Sequence, residues 1–389
     1  MNHGRTIFAQ FVDLLPRRAF DLAVERYGGH KRLRSFACMD QLLAMIFAQL
    51  TQRSSLRETV TCLRSVGSRL YHCGIRVAPA RTTLAEANER RDFRIFMDTA
   101  LSMIEKARME LPVDADLLRL DIQAFAIDST TIDLCLKLFP WANFRKRKAG
   151  IKAHTMIDLN VGIPVFMQMT QAKTADVKIL DRIPFQPGAF YALDRGYIDF
   201  ERLYHIHKVG AFFITRCKRN MNYRIKTRQP VTIDGAVKRD QLIRVSGVQT
   251  RLLYPDTLRR IYYVDPDTLK VLVFLTNNMA LDALTIALLY RKRWQIELLF
   301  KWMKQHLHIK AFFGTTANAV KTQLWIAIMV FVMIQQLKQR NDLEQTPNEI
   351  AQILSVMILE KTQIKQAFSS IPLENKNSDD HKQWNLFDL

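Results

Sequence analysis

With 389 residues and 48% hydrophobic content the chain can bury two or three cores, and 24% charged content without a long low-complexity tract reads as folded rather than disordered. Lys and Arg number 57 against 37 Asp and Glu, a net charge of +20 spread over several segments, which points to a large polyanion, nucleic acid first, as the partner. Five cysteines without a C-x-x-C pair argue against a disulfide framework or a structural zinc site, residues 324–334 form an apolar run too short for a bilayer, and the N-terminus lacks the apolar core of a signal peptide, so a cytoplasmic protein with no membrane partner is expected.

Residues 1–115 read as all-helical. The stretch 39–50 is dense in apolar residues at helical spacing, and Ser55-Leu56-Arg57-Glu58 is a capping-box pattern that predicts a helix start. Pro79 breaks the chain, and Thr83-Leu84-Ala85-Glu86 predicts a second start for a helix carrying Asn88, Arg90 and Arg91. Such a helix suits a DNA major groove, and a solvated helix face equally. From about residue 116 the texture changes. Phe125-Ala126-Ile127-Asp128 reads as a strand ending on a carboxylate, and residues 151–159 and 163–170 as strands on either side of Asn160-Val161-Gly162. A short helical link at 178–182 precedes Tyr191-Ala192-Leu193-Asp194, a second strand ending on a carboxylate, then a helix at 198–209 and a strand at 211–215. Residues 221–278 read as β-rich, with strands at 231–233, 241–245, 250–254, 260–264 and 270–276. A long helix follows from about 281 to 308, an apolar helix over 317–339, and a loose polar end from about 375. The pattern predicts an α/β mixed sheet flanked by helices with a β-strand insertion at 221–278, within a domain spanning 116–345. A helical domain at 1–115 precedes it, and a C-terminal helical segment with a loose tail occupies 346–389.

Strand ends in α/β sheets open onto the functional crevice. If the strands ending at Asp128 and Asp194 are parallel neighbours, their carboxylates converge, and hard oxygen ligands close together suit Mg²⁺ or Mn²⁺. A strand-end Asp is more often a turn former or a helix N-cap than a metal ligand. The third element is helical. At roughly 100° per residue, Tyr290, Arg293, Glu297, Lys301 and Lys304 share one narrow stripe, with Leu288, Ile296, Leu298, Leu299, Trp302 and Met303 on the other side. Such a helix packs on the sheet and presents one carboxylate among cations. A surface ladder accounts for the same spacing, because Arg293 and Lys301 each lie four residues from Glu297.

Tyr290, Arg293, Glu297 and Lys304 stand at the spacing of the YREK signature, and in this the chain resembles one group of bacterial insertion-sequence DDE transposases. Ala126-Ile127-Asp128-Ser129-Thr130, Gly150-Ile151-Lys152-Ala153-His154 and Leu193-Asp194-Arg195-Gly196-Tyr197 resemble the same family in the same order. The resemblance spans residues 120–310, and the segment before it looks like the helical leader these proteins carry. It implies a ribonuclease-H-like catalytic fold with the insertion between the second Asp and the Glu. It implies that Asp128, Asp194 and Glu297 are catalytic and hold two divalent ions, Mg²⁺ or Mn²⁺. One ion would activate a water or a DNA 3′-hydroxyl, and the other would stabilise the leaving oxygen of an in-line displacement. The implied activity is cleavage at the inverted-repeat ends of an insertion sequence and strand transfer into target DNA, by cut and paste. A homodimer in the synaptic complex and a place on the nucleoid go with it. Tyr290, Arg293 and Lys304 resemble residues that grip phosphates near the cleavage point, with Lys301 beside them. Relatives that form hairpinned ends stack a flipped base on an insertion aromatic; here Tyr254, Tyr262, Tyr263 and Phe274 are available.

Arg145-Lys146-Arg147-Lys148 suits flanking DNA backbone or a solvated loop. Lys152 and His154 are expected near Asp128 as site-lining residues, although a strand histidine is more often structural. Asp133 and Asp158 read as turn or surface groups, and Asp176 as a helix cap. The pairs His205/His207 and His306/His308 point to different helix faces, against a zinc site. Two other functions stay open: a metal-dependent nuclease without strand transfer, and a catalytically inactive, transposase-derived DNA-binding protein.

Overall fold

A computed structural model describes residues 4–31, 36–134, 138–145, 148–232, 235–306 and 312–369. Among these, ten strands form one sheet. They are β1 (Ala124–Leu134), β2 (Asn143–Arg145), β3 (Lys148–Asp158), β4 (Ile163–Gln171), β5 (Phe190–Leu193), β6 (Phe212–Arg216), β7 (Tyr223–Gln229), β8 (Val237–Val245), β9 (Leu258–Val264) and β10 (Val271–Thr276). β1, β3 and β4 make an antiparallel meander, with Gly162 at φ 72° in the turn between β3 and β4, a conformation glycine adopts without strain. β5 lies parallel to β1 on its other side, and β6 parallel to β5. The order β4-β3-β1-β5-β6, three antiparallel strands and then two parallel to β1, is the ribonuclease-H-like arrangement.

The insertion extends this sheet instead of forming a layer of its own. β10 pairs antiparallel with β6, and β9, β8 and β7 follow outward. Two expectations there are corrected. Residues 250–254 are not a strand: they fall in the helix Val248–Leu253 and its cap Tyr254. Residues 231 and 232 are not in a strand, and Ile233 lies outside the described residues. The strand missed is β7, which is exposed along nearly its whole length and so has no buried face to leave an apolar alternation in the sequence.

Strand alternation divides the core. Ala124, Ala126 and Ala192 pack in the cluster that holds Ile296, Leu299 and Met303, whereas Phe125, Ile127, Tyr191 and Leu193 pack in the one that holds Ile179, Leu203 and Ile206. The N-terminal helices share the first cluster: Ile46 of the helix Cys38–Leu50 and Phe96 of the helix Arg94–Glu110 join residues of the helix Ala317–Arg340. That last helix is longer than its apolar run suggests. By length and composition it is long enough to cross a membrane, but 83% of its most apolar window is buried inside the protein. Ser55 caps the helix Leu56–Val66 as expected, accepting from the Glu58 N–H at 3.2 Å. Thr83 starts nothing, because the helix Arg81–Arg90 already begins behind Ala80. Cys38, Cys62, Cys73 and Cys217 are free thiols, and Cys135 lies outside the described residues.

Candidate active site

β1 and β5 are parallel with Ile127 opposite Leu193, so Asp128 and Asp194 follow at the same end of adjacent strands. Alternation turns both side chains to the face of Ala126 and Ala192, where the helices pack. The single helix expected over 281–308 is two, Ala283–Lys292 and Trp294–His306, with Arg293 at the joint. The Ile296 N–H donates to the Arg293 carbonyl at 3.1 Å, a tightened turn that shifts the phase of the second helix. Four of the six residues predicted on the apolar side are buried. Ile296, Leu299, Trp302 and Met303 are buried, but Leu288 and Leu298 are each 45% exposed. They lie off the buried face set by Ile286, Leu289, Ile296 and Leu299.

Arg293 ties the site together. Its Nη1 donates to Asp128 Oδ2 at 3.1 Å and its Nη2 to Glu297 Oε1 at 2.6 Å, with only 9% of the side chain exposed. The guanidinium lies 5.5 Å from the centre of the Tyr290 ring, which packs on Phe274 with centroids 5.0 Å apart. Asp128 Oδ1 accepts from the Ser129 N–H at 2.7 Å. Asp194 caps the short 3-10 turn Arg195–Tyr197, its Oδ2 accepting from the Gly196 N–H at 3.3 Å, so the turn-former reading of this residue is met. Burial pushes the Asp128 carboxyl up to about 6; Arg293 and the Ser129 amide pull it down, and the charges of Asp194 and Glu297 push it up again. Burial opposes the charge on Arg293, yet Tyr290, Asp128 and Glu297 hold it above the usual guanidinium value. Burial pushes the Tyr290 phenol up to about 12, and the nearby Arg293 guanidinium pulls it down.

A stability consequence follows. The native state holds the Asp128 proton more tightly than the unfolded chain does. That contribution is complete below the ordinary carboxylate value of 3.8 and is lost as pH rises through about 6. Above that, the ionised form is a burden on the fold. Asp128→Asn is expected to stabilise the metal-free protein at about pH 7.5 by on the order of 1–3 kcal/mol, with the gain shrinking towards pH 4. Urea unfolding in a chelator checks this; a variant less stable than wild type at about pH 7.5 contradicts it.

Carboxylates from three elements are the hard oxygen donors that Mg²⁺ and Mn²⁺ prefer. Among the described residues, no three His, Cys, Asp or Glu side chains form a metal-holding group as they stand. Arg293 fills the space between Asp128 and Glu297. The donor set fits a divalent cation in kind, with the guanidinium supplying positive charge there.

The remaining sequence candidates scatter. Lys301 and Lys304 are exposed, one and two turns beyond Glu297 on its helix. Arg145 and Lys148 pair where β2 meets β3, while Lys146 and Arg147 lie outside the described residues, as does His308. Lys152 and His154 do not line the carboxylate cleft. Their strand pairs Ser129 with His154 and Asp128 with Thr155, so they share the face of Ser129, not that of Asp128. There they meet Asp176: Ser129 Oγ donates to Asp176 Oδ1 at 2.5 Å, Lys152 Nζ lies 3.0 Å from it and His154 Nδ1 3.8 Å. Burial pulls His154 down to about 4, which keeps the ring neutral. Asp176 is thus a hub across the sheet; the residue before it, Ala175, takes the cap position of the 3-10 segment Asp176–Arg182. Only a long-range contact gives Asp176 that place, and no local pattern marks it. Asp158 is not a surface group either, being buried and paired with Arg108 at 2.9 Å. Asn88, 1% exposed, bonds Gln41 at 2.7 Å, and Arg91 donates to the carbonyls of Phe36 and Ala37, so neither is free for a DNA groove. Arg90 is exposed and pairs with Glu86. Of the four insertion aromatics, Tyr254, Tyr263 and Phe274 are core, and Tyr262 is half-buried beneath Arg239.

Comparison with known proteins gives the family. The Transposase DDE domain family matches residues 119–333, and a Domain of unknown function (DUF4372) matches residues 3–76. The chain is 35% identical over 266 residues to "Putative transposase y4zB" of Sinorhizobium fredii, covering 67% of this chain and 72% of that one. It is 28% identical over 213 residues to "Probable transposase for insertion sequence element IS5377" of Geobacillus stearothermophilus, covering 54% and 55% respectively. A solved piggyBac transposase synaptic complex with hairpin DNA aligns over 97% of this chain and 88% of that one, at 11% identity and a TM-score of 0.47, a likeness too low to argue from. The family match spans more than half of the chain and contains Asp128, Asp194 and Glu297: this protein belongs to the DDE transposases.

Proposed function

We propose that the chain is the working transposase of an insertion sequence, cutting DNA at the inverted-repeat ends of its element and joining those ends to target DNA. Asp128, Asp194 and Glu297 would hold a pair of Mg²⁺ or Mn²⁺ ions, which when bound supply an activated oxygen nucleophile and stabilise the leaving oxygen of an in-line displacement. The observation that carries this reading is the joining of Asp128 and Glu297 by one buried arginine, with Asp194 at the end of the parallel strand beside Asp128. Arg293 orients the carboxylates and presents a fixed guanidinium to a phosphate, Tyr290 keeps its under-side dry, and Lys301 and Lys304 add mobile positive charge on the same helix face. The test is a nicking assay with Mg²⁺ on the DNA that flanks the gene itself. Joining of a pre-cut end to a second DNA separates a transposase from a nuclease, and metal-dependent nicking separates it from an inactive DNA-binding descendant.

The basic charge supports the DNA partner. Exposed Arg224, Lys226, Arg228, Lys238, Arg239 and Arg244 crowd β7 and β8. Arg224 stands directly opposite Arg244, a like-charge pairing that costs stability unless an anion covers it. Binding to the element ends should weaken with salt at a log–log slope of roughly −0.9 per phosphate contacted, and neutralising Arg224 and Arg244 together should flatten that slope. A wild-type affinity indifferent to salt would contradict a broad basic DNA surface. The N-terminal helices would recognise the ends, two copies would pair in the synaptic complex, and the protein would work in the cytoplasm on the nucleoid.

A further inference from the structure

Ser129 sits between two faces of the sheet. Its backbone N–H donates to Asp128 Oδ1 at 2.7 Å on the helix side, and its hydroxyl donates to Asp176 Oδ1 at 2.5 Å on the other. Asp176 is itself held. Lys152 Nζ lies 3.0 Å from it and also donates to the Thr174 carbonyl at 3.0 Å, which fixes the chain just before the 3-10 segment. Behind them, His154 is 1% exposed and locked to Thr170 Oγ1 at 2.8 Å. A carboxylate, a lysine and a hydroxyl therefore meet on the far side of the strand from the reacting face, one residue from Asp128. If they served only to staple the segment after β4 to the sheet, any position along β1 would do. The staple instead falls on the residue whose amide sets the Asp128 carboxylate.

We propose that Asp176 is a positioning residue for Asp128, acting through Ser129 from the opposite face of the sheet. This rests on the reading of Asp128 as a metal ligand. The partner that orients a ligating carboxylate governs metal affinity, and its loss typically costs 10–100-fold.

The test is Mn²⁺ binding to the full chain by calorimetry, with thermal unfolding recorded for each variant. Asp176→Ala should weaken Mn²⁺ binding by roughly 10–100-fold. Ser129→Ala should weaken it comparably, and the double variant should be no worse than the poorer single one, because both act on one path. Asp176→Asn keeps an acceptor oxygen and should recover most of the affinity. If Asp176→Ala fails to fold, Ser129→Ala, which removes one oxygen atom, carries the test alone. Wild-type affinity in the folded variants overturns the inference while leaving the metal-ligand reading in place. A wild-type chain that binds no Mn²⁺ overturns both.

Discussion

Asp128→Asn, Asp194→Asn and Glu297→Gln are each expected to lower Mg²⁺-dependent nicking at the element ends by at least about a thousandfold, roughly 4 kcal/mol of barrier. Binding to the same ends in a chelator should be unchanged. The reason lies in what each side chain does besides carry charge. Asp128 and Asp194 are aimed by two adjacent parallel strands, and Glu297 by a helix packed on the same face, so an amide keeps the shape at each position and removes only the anionic oxygen. The proposed DNA contacts lie elsewhere, on the N-terminal helices and on the exposed cations of β7 and β8 and of the helix beyond Glu297. A variant that nicks like wild type would remove its residue from the centre. One that loses both nicking and end binding would point to a folding defect instead.

Arg293→Met should have the largest effect on the fold. The side chain is 9% exposed and satisfies Asp128 and Glu297 together, so its removal leaves the mostly buried Asp128 and the partly exposed Glu297 without their cation. Breaking a buried pair from one side costs about 3–5 kcal/mol. Asp128, already pushed up to about 6, would climb further and take a proton. The loss should therefore be smaller at about pH 5 than at about pH 8, because the protonated carboxyl needs no cation. Mn²⁺ should recover part of the loss at about pH 8 by supplying the missing positive charge, through binding to the folded state alone. Arg293→Lys keeps the charge but lacks the fork that reaches both oxygens, and should fall between. Urea unfolding at the two pH values reads this. Equal stability of the methionine variant and wild type at both would contradict the bridging role.

How much of this was legible in the sequence depends on the range of the interaction. The apolar runs ending at Asp128 and Asp194 are local patterns, and the parallel pairing they suggested is the one observed. Glu297 and Arg293 were legible through helical spacing, although the helix breaks between them and the preceding turn. The periodicity could not show that break, since both halves keep apolar residues at intervals of three and four; only the exposure of Leu288 and Leu298 reveals the change of phase. Residues 250–254 misled because Tyr254 takes its apolar environment from the aromatic cluster it joins, with Tyr204 at 5.2 Å and Phe213 at 6.3 Å, and not from strand pairing. Asp176 was opaque, since nothing near it in sequence hints at Ser129 or Lys152. His154 was placed near Asp128 by sequence order, and the strand's two-residue period put it on the other face.

The central claim is that the carboxylates of Asp128, Asp194 and Glu297 together bind divalent metal. Anomalous diffraction from crystals of the full chain grown with Mn²⁺ tests it most directly. The account predicts a peak in contact with carboxylate oxygens of both Asp128 and Asp194, with Glu297 in the same cluster. Mn²⁺ bound elsewhere, with Arg293 still joining Asp128 to Glu297 and Asp194 turned away, would contradict it.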